Sequence, residues 1–243
     1  MIRLDLQNIS FSYQIGFNSY VKVLKDLSIT IKGEDIIGLV GRNGCGKTTL
    51  LNLLKGSIEP INGTILIISE NGENRIIDNF IPLVSQNVDS NLFPTLTVYE
   101  NFCLIKNRKG KTLKEYSSAI NFRYCKEILV KANMNIENKI DEQVRFLSGG
   151  QKQAISILFA LEQDFPILLM DEPTASLDPF VANSIIELAK SEISKRKGVL
   201  ILVSHNLKDI LKYSTRILIL SNGQIKEISR DNNLSELELM KLM

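Results

Sequence analysis

Hydrophobic positions fall in short runs along the chain, and their spacing predicts strands that alternate with helices. Apolar runs predict strands over residues 2–9, 27–31, 36–40, 64–69, 81–84, 167–170, 199–203, 216–220 and 224–228. Helical spacing predicts helices over residues 50–56, 116–134, 180–195 and 207–212, of which 116–134 is the longest candidate. Short, continuous apolar strands between helices are typical of a parallel sheet covered on both faces. The pattern therefore predicts an α/β fold.

The middle of the chain differs from its two ends. From about residue 87 to 160 the apolar positions are mostly helical in spacing, and the strand–helix alternation resumes afterwards. We predict one domain over 1–230, with a core formed by 1–86 and 161–230 and a helical subdomain inserted at about 87–160. Residues 231–243 are predicted to form a charged C-terminal tail with a small helix.

Composition narrows the class of protein. The chain has 243 residues, 44% hydrophobic and 23% charged, and 29 Lys and Arg against 27 Asp and Glu give a net charge of +2. This balance gives no electrostatic reason to expect a nucleic-acid partner. No apolar run approaches the ~18 residues of a membrane span. Cys45, Cys103 and Cys125 are far apart, which indicates neither a disulfide framework nor a zinc site, so we expect a cytosolic, reduced protein.

A glycine-rich segment between a predicted strand and a predicted helix is the first chemical motif. Residues 41–48, Gly-Arg-Asn-Gly-Cys-Gly-Lys-Thr, satisfy the pattern G-x-x-x-x-G-K-[ST]. Such glycines let backbone N–H groups surround phosphate oxygens at a helix N-terminus, where the helix dipole favours anions. The lysine reaches the β- and γ-phosphates, and the threonine hydroxyl is a ligand for Mg²⁺. The predicted ATP-binding residues are Gly41, Asn43, Gly44, Cys45, Gly46, Lys47, Thr48 and Thr49.

Cys45 within this loop has two interpretations. The loop requires a small residue, which a cysteine satisfies. Alternatively the thiol is reactive, because a helix N-terminus lowers a thiol pKa.

Two acidic residues follow an apolar strand in the second half of the chain. Asp171 and Glu172 come directly after Ile167-Leu168-Leu169-Met170. Ligands of open α/β sheets bind beyond the carboxyl ends of the strands, so both acids are expected near the phosphates. Asp171 suits the coordination of Mg²⁺, and Glu172 is the candidate general base that activates a water.

The pentapeptide Leu147-Ser148-Gly149-Gly150-Gln151 precedes a helical pattern, so Ser148 can cap that helix. With the glycine-rich loop and the acidic strand end, this segment resembles the signature motif of the nucleotide-binding subunits of ATP-binding cassette (ABC) transporters. The resemblance covers residues 1 to about 228. It implies a P-loop ATPase of the ABC type, with an N-terminal antiparallel β region, a mostly parallel core sheet and an inserted helical subdomain.

The resemblance also implies roles for residues that no pattern alone identifies. Tyr13 resembles the aromatic residue that stacks on adenine, with Phe11 as the alternative. Gln86 resembles the glutamine that contacts Mg²⁺ or the attacking water. His205, the single histidine of the chain, resembles the switch histidine that contacts the γ-phosphate. Asp178 resembles the aspartate of the loop that crosses the dimer interface, and it could also cap the helix that begins at Pro179.

Family resemblance further implies a head-to-tail dimer. Each ATP would lie between the phosphate loop of one subunit and residues Ser148, Gly149, Gly150 and Gln151 of the other. A membrane partner would contact the helical region after Gln86, where Leu92 and Phe93 are expected to be exposed. Packing of these two residues inside the subdomain is the alternative.

Length and motif spacing exclude several classes of related ATPases. The chain has one phosphate loop, whereas tandem translation factors need two, and it is too short for an exporter with fused membrane spans. Lys47 and Asp171 are too close in sequence for the repair ATPases with a long coiled coil. We expect a peripheral ATPase subunit at the cytoplasmic face of the membrane. Two copies are expected to form a homodimer that works with separate transmembrane subunits and a substrate-binding protein. The expected direction of transport is import. An exporter subunit, or an ATPase of the iron–sulfur cluster assembly type, remains the alternative.

Overall fold

The structure, a computed structural model, describes residues 2–69, 72, 74–76, 81–106, 119–163, 165–228 and 234–243. The chain forms two compact units. The first contains Met1–Leu83, Phe165–Asp171 and Ile193–Met243, and the second contains Val84–Asp164 and Glu172–Glu192.

Strands alternate with helices over most of the described chain. The strands are β1 (Arg3–Gly16), β2 (Ser19–Lys32), β3 (Ile36–Val40), β4 (Asn62–Ile68), β5 (Asn74–Ile76), β6 (Leu83–Val84), β7 (Ile167–Asp171), β8 (Val199–Val203), β9 (Arg216–Ser221) and β10 (Gln224–Ile228). The α-helices are α1 (Lys47–Lys55), α2 (Val98–Lys106), α3 (Ala119–Val130), α4 (Gly149–Leu161), α5 (Pro179–Lys195), α6 (Leu207–Tyr213) and α7 (Glu236–Leu242). Short 3₁₀ helices cover Val88–Ser90, Ile136–Lys139 and Val144–Phe146.

Two sheets form the first unit. The antiparallel sheet has the order β2-β1-β4-β5, and the larger sheet has the order β10-β9-β3-β8-β7-β6. In the larger sheet β3 is parallel to β8 and β9, β7 is parallel to β8, and only β10 is antiparallel to its neighbour among the described pairs. The predicted α/β fold, with its mostly parallel core sheet and its N-terminal antiparallel region, is confirmed.

The core of the first unit lies between these sheets and the first helix. Helix α1 buries Leu50, Leu51, Leu53 and Leu54, which belong to one hydrophobic cluster with leucines and isoleucines from both sheets. Every residue of β8 is buried, as expected for a strand with neighbours on both sides. Gly56, with a φ of 77°, ends α1 in the left-handed conformation that glycine adopts most readily, so the predicted stop is confirmed.

Several strands differ from their predictions. Strand β2 begins at Ser19 rather than at residue 27, and β5 was not predicted. Strand β1 continues to Gly16, well beyond the predicted residue 9, because it forms a long hairpin with β2 whose outer part is exposed and therefore lacks an apolar run. Strand β6 covers only Leu83–Val84 of the predicted 81–84. Strand β6 begins after Pro82 because proline has no N–H to donate to a neighbouring strand. The Pro82 carbonyl oxygen still accepts a hydrogen bond of 3.0 Å from the Leu169 N–H.

Helices α2 to α5 and short turns build the second unit. Phe102 of α2 and Phe159 of α4 are buried in its centre, with ring centroids 5.5 Å apart. The predicted helix 116–134 is shorter, because α3 ends at Val130 and Asn133 takes the left-handed conformation with a φ of 53°. Residues 116–118 lie outside the described residues. Leu188 of α5 and Leu158 of α4 line one small cavity, which is consistent with the grouping of 172–192 in this unit.

A short helix ends the chain. Helix α7 starts with a capping box, in which the Ser235 hydroxyl accepts a hydrogen bond from the Glu238 N–H and the Glu238 carboxylate accepts one from the Ser235 N–H. Leu239 is fully buried, and α7 contacts α6 within the first unit. The predicted tail helix is therefore present from Glu236 to Leu242, and residues 231–233 lie outside the described residues.

Candidate active site

The glycine-rich loop joins β3 to α1 at the carboxyl edge of the larger sheet. Gly44 and Gly46 have φ values of 76° and 107°, a region that other residues rarely adopt, and Gly46 is the N-cap of α1. A methyl group at Gly46 would also lie 2.7 Å from Val23 Cγ1, so the loop has no room for a side chain there. The local sequence therefore produces the curled backbone that the phosphate-binding pattern requires.

The charged side chain of this loop folds back over its own backbone. Lys47 Nζ donates to the carbonyl oxygens of Gly41 at 2.7 Å and Arg42 at 3.2 Å. The ammonium group is held at the mouth of the loop by weak neutral acceptors. An anionic phosphate oxygen would be a stronger acceptor for the same protons.

Strand register brings the acidic strand end and the histidine to the same edge. Asp171 at the end of β7 pairs with Val203 at the end of β8, two residues before His205. Asp171 Oδ2 accepts a hydrogen bond of 3.5 Å from the Thr48 hydroxyl. Lys47, Thr48, Asp171 and the exposed His205, which come from three distant parts of the chain, therefore interact within the first unit.

Lys47, Thr48 and His205 all influence the pKa of Asp171. Burial raises the pKa of the Asp171 carboxyl above its ordinary 3.8, while the charge of Lys47, the Thr48 hydroxyl and His205 act in the lowering direction. A partly buried carboxylate with a raised pKa gains most from a cation that replaces its lost hydration.

Thr48 and Asp171 also fit a divalent cation. A hydroxyl and a carboxylate are hard oxygen ligands, and Mg²⁺ in phosphate-binding sites usually takes only one or two protein ligands besides water and phosphate oxygens. The described residues contain no cluster of three or more His, Cys, Asp and Glu side chains suited to hold a metal alone.

Tyr13 has an open ring surface near the start of α1. Its side chain is 43% exposed, its hydroxyl lies 3.3 Å from Thr49 Oγ1, and its ring makes an edge contact with Phe11 at 4.9 Å between centroids. Phe11 packs against the core. The arrangement leaves Tyr13, rather than Phe11, available for stacking.

Glu172 directly follows Asp171 and has an unusual backbone. Its φ is 50°, which is uncommon for a long side chain and costs of the order of 1–3 kcal/mol. The Ala175 N–H donates to the Glu172 carbonyl oxygen at 3.3 Å, so the residue begins a tight turn. Strain of this kind is concentrated at functional sites in proteins.

Gln86 lies in a turn closed by serine hydroxyls. Ser85 Oγ donates to the Asn87 carbonyl oxygen at 3.0 Å and contacts Ser90 Oγ, while Gln86 itself is exposed. The structure therefore presents Gln86 on the surface of the second unit.

The signature segment begins α4 with a capping box, so the predicted cap by Ser148 is confirmed. Ser148 Oγ accepts from the Gln151 N–H at 3.2 Å, and Gln151 Oε1 accepts from the Ser148 N–H at 3.2 Å. Ser148 and Gly149 are exposed at the N-terminus of this helix, where the dipole favours an anion.

Asp178 caps the next helix, and this prediction is also confirmed. Its Oδ1 accepts from the N–H groups of Phe180 and Val181, both at 3.1 Å. Asp178 is exposed as well, so the cap leaves the side chain accessible from outside.

The prediction that both Leu92 and Phe93 are exposed is wrong for one of them. Phe93 is 58% exposed, whereas Leu92 is only 4% exposed and packs inside the second unit. The sequence analysis also missed Asn101, a buried residue whose side-chain amide accepts from the Phe93 N–H and donates to the carbonyl oxygens of Phe93, Leu96 and Thr97. The pattern Thr97-x-x-Glu100 predicts the helix start beside it but not this contact.

The three cysteines have different surroundings. Cys103 and Cys125 are buried, and burial raises the pKa of the Cys125 thiol to about 12. Cys45 is half-buried in the phosphate loop, where a methyl group at Gly41 would lie 2.7 Å from its sulfur. This close approach favours a small side chain at position 45, and the reactive interpretation stays a prediction.

None of the helices in the described ranges is long and apolar enough to cross a membrane.

Comparison with known proteins identifies the family. The family model for ABC transporters matches residues 24–175. The tyrosine transport ATP-binding protein of Clostridioides difficile (strain R20291) is 30% identical, with 99% of this chain and 97% of the relative covered. The thiamine import ATP-binding protein ThiQ of Photobacterium profundum is 30% identical, with 93% of this chain and 90% of the relative covered.

A solved structure of an ATP-binding cassette is also similar to this chain. The dimeric post-hydrolysis state of the ATP-binding cassette MJ0796, bound to ADP and Pi, has a TM-score of 0.78 and 26% identity over 94% of this chain and 99% of that one. With its phosphate loop, acidic strand end and signature segment, the chain belongs to the ABC transporter family, as an ATP-binding and ATP-hydrolysing subunit.

Proposed function

We propose that this ATPase powers the import of a solute through separate transmembrane subunits. The observation that carries the proposal is the convergence of Lys47, Thr48, Asp171 and His205 at one sheet edge, in a chain with an intact signature segment. The names of the tyrosine transport and thiamine import proteins, which resemble the chain over nearly all of its length, support transport and favour import.

The phosphate loop binds ATP in this proposal. Lys47 exchanges the carbonyl oxygens of Gly41 and Arg42 for the β- and γ-phosphate oxygens, and Tyr13 stacks on the adenine ring. His205 contacts the γ-phosphate. The full ATP-contacting set on this side is Tyr13, Gly41, Asn43, Gly44, Cys45, Gly46, Lys47, Thr48 and Thr49.

Glu172 acts as the general base. It accepts a proton from the water that attacks the γ-phosphate, and Gln86 orients that water. The strained backbone of Glu172 supports this role, because a non-glycine residue keeps such a conformation only where the surroundings enforce it.

Thr48 and Asp171 would hold Mg²⁺, with Gln86 as a third oxygen donor. When bound, Mg²⁺ neutralises charge on the phosphates. The 3.5 Å separation of the Thr48 hydroxyl and the Asp171 carboxylate agrees with two ligands of one ion.

Two copies of the chain form a head-to-tail dimer with ATP at the interface. Ser148, Gly149, Gly150 and Gln151 of one copy contact the ATP held by the phosphate loop of the other, and Asp178 crosses between them. The dimeric structure of the related cassette supports this assembly. ATP then favours the closed dimer, and hydrolysis favours the open one.

The remaining partners are transmembrane subunits and a substrate-binding protein. Transmembrane subunits dock on the second unit around exposed Phe93, the chain is peripheral at the cytoplasmic face, and a substrate-binding protein delivers the solute. An aromatic side chain exposed to this extent suits an apolar groove or helix of a partner. No nucleic acid takes part.

Isolation of the complex from the native cell tests the transport function. A tagged Glu172→Gln variant is incubated with ATP, membranes are solubilised in detergent, and co-purified proteins are identified by mass spectrometry. We expect a polytopic membrane protein, because the variant should stay in the ATP-bound closed dimer. A second pull-down without ATP gives the background.

The identity of the co-purified proteins separates the alternatives. A membrane protein together with a solute-binding protein supports import, and a membrane protein that exports solute when reconstituted contradicts it. A soluble iron–sulfur scaffold with no membrane protein contradicts transport altogether.

A further inference from the structure

The signature segment and the turn that carries Glu172 are packed against each other in one subunit. Gly150 lies so close to this turn that an added methyl group would be 2.9 Å from the Ser176 carbonyl oxygen and 3.5 Å from Leu177 Cδ2. The adjacent Gly149 differs, because a methyl group there would meet only the Ser176 side chain, at 3.9 Å or more. All of these residues belong to the second unit.

The close approach of the Ser176 backbone explains why position 150 holds glycine. Neither Gly149 nor Gly150 has a positive φ, and both lie in the first turn of α4. Alanine in a helix is favoured over glycine by up to about 1 kcal/mol, so local structure alone favours alanine at both positions. Packing therefore requires glycine at position 150 but not at position 149. The atom that leaves no room for a side chain at Gly150 is the Ser176 carbonyl oxygen, in the turn from Glu172 to Asp178.

That turn is a short, hydrogen-bonded unit. The Ala175 N–H donates to the Glu172 carbonyl oxygen at 3.3 Å, and the Leu177 N–H donates to the Thr174 carbonyl oxygen at 3.1 Å. Asp178 then caps α5. Because Ser176 is backbone-linked through this network to Glu172, a shift at Ser176 displaces the residue proposed as the base.

We infer that Gly150 is a positioning residue for Glu172 of its own subunit, in addition to its contact with the ATP of the partner subunit. The inference rests on the proposed head-to-tail dimer. Its consequence is that one rigid contact links the two ATP sites: the segment that meets the partner's ATP is packed on the turn that carries the subunit's own base. Movement of the signature segment at one site therefore alters the position of Glu172 at the other.

The packing is tested first in the nucleotide-free protein. We expect Gly150→Ala to lower Tm and to accelerate hydrogen exchange at the Ala175 and Leu177 amides by about tenfold, because Ser176 must move. Gly149→Ala is the matched control, and we expect it to raise Tm and to leave exchange in the turn unchanged. Equal behaviour of the two variants would overturn the inference.

The link to catalysis is tested in a mixed dimer with one working site. One copy carries Lys47→Ala and cannot bind ATP; the other carries Gly150→Ala and an intact phosphate loop. In a head-to-tail dimer the altered Gly150 faces only the empty site. We expect the single-turnover rate constant to fall by about 10- to 100-fold relative to the Lys47→Ala mixed dimer. A general loss of folded protein would lower the amplitude of the single turnover and leave its rate constant unchanged, whereas displacement of Glu172 lowers the rate constant itself. The ATP concentration for half-maximal rate should not change, because the phosphate loop of the working site is intact.

Two outcomes distinguish the failure of this inference from the failure of the proposed dimer. If the rate constant is unchanged while Ser148→Arg in the Lys47→Ala copy abolishes turnover, the dimer stands and the link through Gly150 is wrong. If Ser148→Arg in that copy has no effect, the head-to-tail arrangement is wrong, and the inference is withdrawn with it.

Discussion

The phosphate loop region of the first unit and the signature region of the second are built in different ways. The first gathers side chains from residues 41–48, Asp171 and His205, which meet only because β3, β7 and β8 are parallel and aligned. The second uses consecutive residues, 147–151, whose polar groups bond to each other in a capping box. One region is assembled by the tertiary fold, and the other by local helix geometry.

This difference indicates that the two regions have different roles in the ATPase cycle. The gathered site has a lysine, a hydroxyl and an imidazole that interact with the carboxylate of Asp171, and in the proposed function these groups hold the nucleotide. The local segment has exposed helix N–H groups and a serine, which can add contacts to a ligand but cannot enclose one. We therefore expect changes in the first region to alter ATP binding, and changes in the second to alter hydrolysis after binding.

The largest expected effect tests the boundary between the two regions. Glu172→Gln should keep ATP binding and reduce hydrolysis by about 10²- to 10⁴-fold, because the amide cannot accept the proton of the attacking water. Phosphate release gives the rate, and binding of a fluorescent ATP analogue gives the affinity. Hydrolysis near the wild-type rate would show that Glu172 is not the base.

The next effect concerns the signature region alone. Ser148→Arg should reduce hydrolysis by about 10²- to 10³-fold, the range for loss of one group that stabilises charge in a transition state. ATP binding to the monomer should not change, because the phosphate loop is intact. Ser148→Asn keeps a helix-capping side chain and separates loss of the cap from loss of the ATP contact. Unchanged turnover in the arginine variant would argue against the head-to-tail dimer.

A smaller effect is expected at the edge of the gathered site. Tyr13→Ala should weaken ATP binding by about 1–3 kcal/mol, the usual contribution of aromatic stacking on a base. Tyr13→Phe retains the ring and loses only the 3.3 Å contact with Thr49. Calorimetric titration of both variants measures the two contributions. Equal losses in both would assign the role to the hydroxyl rather than to the ring.

The smallest effect is a pH-dependent change in stability at Asp171. Since the pKa of this carboxyl is raised above 3.8 in the folded protein, the native state binds more protons than the unfolded state just above pH 3.8. Its contribution to stability therefore falls as pH rises through the window between 3.8 and the raised pKa. Asp171→Asn does not titrate, so its Tm relative to wild type should rise across that window and then level off. Parallel Tm profiles would contradict the raised pKa.

Much of the fold could be predicted because its signals are local. The spacing of leucines before Gly56, the apolar strand ending at Asp171 and the capping side chains of Ser148 and Asp178 each depend on neighbours in sequence. The motif G-x-x-x-x-G-K-[ST] predicts the loop for the same reason, since its glycines act through their own backbone angles.

The remaining features depend on contacts between distant segments. The burial of Leu92, the hydrogen bonds of Asn101 to the Phe93 loop and the approach of Ser176 to Gly150 have no counterpart in hydrophobic spacing. The exposed outer part of the β1–β2 hairpin was missed because hydrogen bonding, rather than a buried apolar face, extends those strands. Glycine at position 150 was predicted for the ligand, and its packing role depends on a turn that is distant in sequence.

The single histidine of the chain, His205, can serve as a spectroscopic probe of the proposed ATP site. His205 is exposed and lies within the electrostatic reach of Asp171, at the proposed γ-phosphate position. Imidazole resonances in a protein without a histidine tag would come from this one ring, with no need for assignment. Nucleotide binding, hydrolysis and product release at this one site could then be followed in real time in the unlabelled protein.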